Sequence, residues 1–253
     1  MNKTIKITLL TLLAVVLLFV SGIGYMMFNV KMALKDMNTR ETGAVNETIT
    51  ALKDKFCNVY LVKGETGYIA IDSGKDPAAL ENEMKKVAVD PASVHTLFLT
   101  HADSDHAGGR TLFAKAQVFI PQAEEAVMNG DVARKFFLKV KADIPHTPVA
   151  DGEIMTIDGV KVQCITIPGH TAGSSVYIIN DEYLFCGDNF SINRNNELAL
   201  FPDIFNADSK LQAESLQKIA DLKGLKLILS PHYGTTENVD GLKVFKNIKE
   251  KVL

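Results

Sequence analysis

The chain has 253 residues, 47% hydrophobic and 23% charged, with 27 Lys+Arg against 30 Asp+Glu and three cysteines. That composition excludes a disordered or collagen-like chain. Cys57, Cys164 and Cys186 are scattered, with no Cys-x-x-Cys pair, which excludes a disulfide framework and a cysteine-based zinc finger.

Lys3 and Lys6 precede Ile7–Val30, 24 residues without a charge. At about 1.5 Å per residue this length crosses a hydrocarbon core of ~30 Å. Ile7–Val20 would also serve as the apolar centre of a signal peptide, with Ser21-Gly22-Ile23-Gly24 as its cleavage site. The apolar run continues through Tyr25-Met26-Met27-Phe28, so residues 1–30 are read as a retained transmembrane anchor, and secretion after cleavage is the alternative. Basic residues flank the run on both sides. Orientation then rests on the habit of short N-terminal tails to stay in the cytoplasm, which puts the rest outside it. Residues 31–45 read as a polar linker and 46–253 as the folded domain. Beyond residue 40 the chain carries 22 basic and 29 acidic residues, a net charge of −7, so no nucleic-acid partner is expected.

In that domain Asn58–Val62 and Tyr68–Ile71 read as a hairpin across Lys63–Gly67. Asp76-Pro77 opens a helix to about Val89, as N-cap and first position. Val94–Thr100 and Gln117–Ile120 read as strands, Gln122–Met128 as a helix. Ile154–Ile157 and Val160–Ile167 flank Asp158-Gly159, a hairpin signal. Strands Ser175–Ile179 and Tyr183–Phe185 follow, then a helix over Ala207–Leu222, a strand over Leu225–Leu229 and a terminal helix over Val239–Val252. The order predicts layered α/β, with sheets inside and helices outside.

The chemistry-bearing residues sit just after predicted strands, where a rigid sheet presents functional side chains. Val94–Thr100 runs into His101-Ala102-Asp103-Ser104-Asp105-His106. Val160–Ile167 runs into Pro168-Gly169-His170, Tyr183–Phe185 into Cys186-Gly187-Asp188, and Leu225–Leu229 into Ser230-Pro231-His232. His101, Asp103, Asp105 and His106 supply four donors in six residues, a density that suits two adjacent ions better than one. His170, His232 and Asp188 would complete two sets of nitrogen and oxygen donors, with two carboxylate oxygens on Asp188 able to bridge. Ions about 3.5–4 Å apart share a hydroxide and polarise a substrate oxygen.

Thr100–Gly109 (THADSDHAGG), Pro168–Ser174 (PGHTAGS), Gly187-Asp188 and Pro231-His232 together resemble the metallo-β-lactamase-fold superfamily, in the right order from about residue 46 onward. The resemblance implies a four-layer αββα sandwich. It implies a first metal on His101, Asp103 and His170, a second on Asp105, His106 and His232, and Asp188 between them. Asp72 resembles the family's early buried Asp, which orients the metal loop. The usual family pattern is His-x-His-x-Asp-His, and Asp103 replaces its second His. A carboxylate is a harder donor, so zinc comes first and iron or manganese are alternatives. Asp188 stands where well-known β-lactamases carry Cys, which points to the glyoxalase II-like and lactonase-like branch.

The expected activity is metal-dependent hydrolysis of a small ester, thioester, lactone or lactam by a metal-bridging hydroxide, with Asp105 and Asp188 as catalytic residues. The alternatives are a diiron redox enzyme of the same fold and a catalytically weak metal-binding or sensor module. His95, His146, Arg194 and Cys186 are read as structural or solvated, Tyr233 as packing or aiding an oxyanion, and the sequon Asn46-Glu47-Thr48 as accidental.

Overall fold

The computed structural model describes residues 2–135, 137–139 and 142–248. It divides into two units between Asp36 and Met37. The first is a single helix, α1 (Lys3–Leu34). Its stretch Thr4–Leu34 is long and apolar enough to cross a membrane, and Leu12, Leu17 and Phe19 lie exposed along it. The helix runs past Val30 because Lys31-Met32-Ala33-Leu34 are good helix formers.

The second unit begins with a seven-stranded sheet. Its strands are β1 (Gly43–Ala44), β2 (Ile49–Asp54), β3 (Cys57–Lys63), β4 (Tyr68–Ile71), β5 (Val94–Phe98), β6 (Gln117–Pro121) and β7 (Thr147–Val149), hydrogen-bonded in chain order. β1 to β4 pair antiparallel and β4 to β7 parallel. Helix α2 (Pro77–Lys86) makes the β4–β5 crossover. Asp76 caps it by accepting from Ala78 and Ala79, and it stops three residues short of Val89, where Ala88 turns to φ 55°.

The second sheet contains β8 (Ile154–Ile157), β9 (Val160–Thr166), β10 (Ser175–Ile179) and β11 (Tyr183–Phe185). A small hairpin of β12 (Phe190–Ile192) and β13 (Leu198–Leu200) stands apart from it. The sheet resumes with β14 (Leu227–Ser230) and β15 (Gly234–Thr236), in the order β15-β14-β11-β10-β9-β8.

Three apolar clusters show the layers. Tyr60, Val62, Ile71 and Phe98 of the first sheet pack with Val162, Cys164, Tyr177 and Phe185 of the second. Val59, Leu61 and Leu97 turn the other way, onto Leu80 and Met84 of α2. Val176, Ile178 and Ile228 face Ala213, Leu216, Leu242 and Phe245 of the C-terminal helical segments. The two-residue alternation of each strand thus feeds two layers at once. Fully burying one such side chain contributes about 1.5–3 kcal/mol. The result is the expected αββα sandwich.

Some elements differ from expectation. Residues 37–45 are held on the folded unit rather than forming a linker: Met37 packs on the outer core, Asn38 N–H donates to the His232 carbonyl, and Arg40 N–H donates to Asn58. The helix expected over Ala207–Leu222 is α-helical only at Ser209–Ser215, capped by Asp208, and continues as 3₁₀ over Leu216–Ile219. The terminal segment Val239–Asn247 is 3₁₀ throughout, and the end of the expected helix, 249–252, lies outside the described residues.

Candidate metal centre

The two sheets hold the site loops in register. Tyr177 Oη, on β10, donates to the Leu99 carbonyl at 3.0 Å. Ser175 N–H donates to the Thr100 carbonyl at 3.0 Å. The chain just before His101 is therefore fixed from the opposite sheet. Asp72, left-handed at φ 59°, ends β4 and accepts from Thr100 N–H at 2.8 Å. Gly109 lets the loop lie against Ser73, whose carbonyl would stand 2.0 Å from an added Cβ.

All seven predicted donor residues converge. His101 is fully buried, and its Nε2 lies 3.6 Å from Asp103 Oδ2. His170 Nε2 lies 3.3 Å from Asp103 Oδ2 and 3.4 Å from Asp188 Oδ2. The other oxygen of Asp188 is 3.4 Å from His106 Nε2 and 3.3 Å from His232 Nε2. Asp105 Oδ2 is 3.5 Å from His232 Nε2. Within 4.8 Å of one another stand the donor atoms of His101, Asp103 and His170, those of Asp105, His106 and His232, and those of His101, His106 and Asp188.

Each histidine is oriented through its other nitrogen. His106 Nδ1 meets Asp72 Oδ2 at 2.8 Å. His232 Nδ1–H donates to the Phe56 carbonyl at 2.9 Å, and the Phe56 ring stacks on it at 5.9 Å. His101 Nδ1 meets Thr100 Oγ1 at 3.1 Å, and His170 Nδ1 meets Asn206 Oδ1 at 3.3 Å. Such partners settle the tautomer and aim the remaining nitrogen inward. Among the described residues, His101 Nε2, His106 Nε2 and Asp188 Oδ1 are buried there without a hydrogen bond, an arrangement costly unless a cation completes it. The residues fit a divalent-metal centre on that ground.

Charge in the pocket is strongly coupled. Burial works against a protonated His106, but Asp188, Asp72 and Asp105 outweigh it and raise its pKa. Burial also opposes the Asp188 charge, and His232 and His106 overcome it, holding the carboxyl well below its usual range. For His170 burial wins and pushes the pKa down to about 4. Asp103 is held far below the carboxylate range: burial opposes its charge, while His101, His170 and Arg134 overrule that.

Three supporting residues carry no motif. Arg134 grips both oxygens of Asp103, from Nε at 2.7 and 2.9 Å and from Nη2 at 2.5 Å. Glu124, fully buried, accepts from Ala102 N–H, Thr171 Oγ1–H and Gly173 N–H at 3.1, 2.6 and 3.0 Å. It ties the His101 loop to the His170 loop. Gly173 is needed there, since an added Cβ would stand 2.1 Å from Glu124 N. Asn206 bonds Gln212 as well as His170. Tyr233 packs beside Phe201 in the outer core. Cys186 is buried there too. His95 is exposed on β5. His146 lies 3.3 Å from Glu125.

Comparisons with known proteins identify the family and the fold. A B3 metallo-β-lactamase with an active-site glutamic acid matches with a TM-score of 0.65 at 18% identity, over 88% of this chain and 92% of that one, a likeness of fold. The hydroxyacylglutathione hydrolase of Serratia proteamaculans is 30% identical over 76% of this chain and 67% of its own. A β-lactamase-like protein 2 homolog of Drosophila melanogaster is 27% identical over 76% of this chain. The chain spans 65% of the length of that fly relative, and 38% of a lactamase-like protein of Trichophyton rubrum. The family profile described as metallo-beta-lactamase superfamily matches residues 52–232, most of the folded unit and all seven donors, and the chain belongs to that superfamily.

Proposed function

We propose that the protein hydrolyses a small ester, thioester, lactone or lactam at a centre of two divalent ions, zinc first and iron or manganese as alternatives. The observation that carries this is the set of seven His and Asp side chains from four loops, three of whose buried donor atoms have no hydrogen bond among the described residues. The hydroxyacylglutathione hydrolase relative supports the acyl side of that range. His101, Asp103 and His170 would hold one ion and Asp105, His106 and His232 the other, with Asp188 facing both. Ions so held supply an acidified water and positive charge for a developing oxyanion.

The chain's own groups do the rest. Asp72 and Phe56 hold the proton on Nδ1 of His106 and His232. The greater exposure of Asp105, 24% of its side chain against 5% for Asp188, supports it as the carboxylate that would take a proton from the attacking water and return it to the leaving group. The helix Lys3–Leu34 anchors the enzyme in a membrane, with the catalytic unit outside the cytoplasm.

Metal analysis of the purified full chain, beside a panel of ester, thioester, lactone and β-lactam substrates, tests this. Chelator-sensitive hydrolysis of one class is expected. A metal-loaded protein inert on all four classes overturns the reading.

A further inference from the structure

We infer that Arg134 competes with metal for the first donor group, so that the centre binds one ion tightly, at Asp105, His106, His232 and Asp188, and a second only weakly. This rests on the reading of the site as a metal centre, and concerns how that centre is loaded.

Besides gripping Asp103, Arg134 places Nη2 2.8 Å from His170 Nε2. A guanidinium has donors only. His170 Nε2 is therefore the acceptor, and the lone pair in that bond is the one an ion would need. Asn206 Oδ1 at Nδ1 keeps the ring proton on the far side, so the ring cannot offer its other nitrogen instead.

The rest of the guanidinium is equally committed. Nη1–H donates to the His170 carbonyl at 2.7 Å and Nη2–H to the Phe205 carbonyl at 3.2 Å. The side chain is 12% exposed. With all three nitrogens turned to protein acceptors, it is not aimed at a ligand arriving from solvent. Its fixed positive charge instead sits inside the space shared by Asp103 and His170, where it repels a divalent ion and neutralises the carboxylate that would attract one. Among the described residues, no cation of the protein bonds the second group: His106 Nε2 and Asp188 Oδ1 have no hydrogen bond.

The test uses the full chain in detergent, stripped and then titrated with zinc alone against a chromophoric chelator, with bound zinc counted by mass spectrometry. The wild type is expected to bind one equivalent at least about 100-fold more tightly than the second. Arg134→Met should tighten the second step by at least about tenfold, since a unit charge a few ångströms away is removed. Arg134→Lys, which keeps the charge and loses the fork, should tighten it less.

Two equivalents of similar affinity in the wild type overturn the inference without any variant, while leaving the metal centre intact. A weaker second step in a folded Arg134→Met protein also overturns it, because Arg134 would then be positioning Asp103 for metal. Zinc binding by neither protein overturns the metal-centre reading and this inference together.

Discussion

The two donor groups are built from the same residue types, yet they are braced differently. His106 is oriented by a buried carboxylate, Asp72, and its inner nitrogen has no hydrogen bond among the described residues. His170 is oriented by a neutral amide at 3.3 Å, and its inner nitrogen already accepts from Arg134. A carboxylate behind a histidine raises its basicity as a ligand, while a cation in front of one occupies it. Donor count alone would call the groups equal. Their partners make them unequal, and the comparison can be broken at several points.

The largest effect is expected from the donors themselves. His106→Ala and His232→Ala should each lower the hydrolytic kcat/KM by at least about 100-fold and release the tightly held ion. His170→Ala should cost less, about tenfold, and keep that ion. Equal losses at all three positions, with equal metal contents, would erase the distinction.

Asp72→Asn acts one bond further out. Asparagine tolerates the left-handed backbone at this position, so the fold should survive. Its single oxygen cannot serve both Thr100 N–H and His106 Nδ1–H. Affinity for the first zinc equivalent should fall about 10–100-fold, read by chelator competition; an unchanged value would show that the carboxylate does not support the second group.

Glu124→Ala should affect both groups alike, through the loops. It leaves the Ala102 amide buried without its acceptor and the Gly173 amide with only Thr171 Oγ1 at 3.3 Å, at a cost of about 2 kcal/mol. Thermal unfolding measures this, and a loss confined to activity would make Glu124 something other than a loop tie.

Much of this architecture was legible in the sequence because the strands β3, β5, β9 and β10 carry dense apolar runs and each ligand loop follows directly. β2 was not: Lys53 and Asp54 interrupt its pattern, and its pairing with β3 is what makes it a strand. β12 and β13 are three residues each and depend on one another. In the site, the seven donors stand in motifs, but Arg134 lies in a stretch with no periodicity or motif. Its role comes from a contact 31 residues away in the chain. Glu124 reads as one more polar residue of a short helix until Thr171 and Gly173 close on it. Motifs show which atoms converge; the bracing comes from distant pairings that leave no local pattern.

The smallest effect, and the one most sensitive to sign, belongs to Asp103→His. By donor softness alone an imidazole suits zinc better than a carboxylate, so the substitution would tighten the first group. Arg134 reverses that expectation. A neutral ring cannot accept the guanidinium fork that now bonds both oxygens of Asp103, so Arg134 stays in the pocket with its charge uncompensated. The donor gained is offset by the negative charge lost. Zinc retention at the second equivalent should therefore stay within about threefold of wild type, or weaken. Only the double variant Asp103→His with Arg134→Met should gain, since it supplies the softer donor and removes the competing cation together. Chelator titration of the single and double variants completes the cycle. A single variant that already holds its second zinc clearly more tightly would mean that Arg134 follows Asp103 and does not guard His170, and the two donor groups would then differ only in the partners behind their histidines.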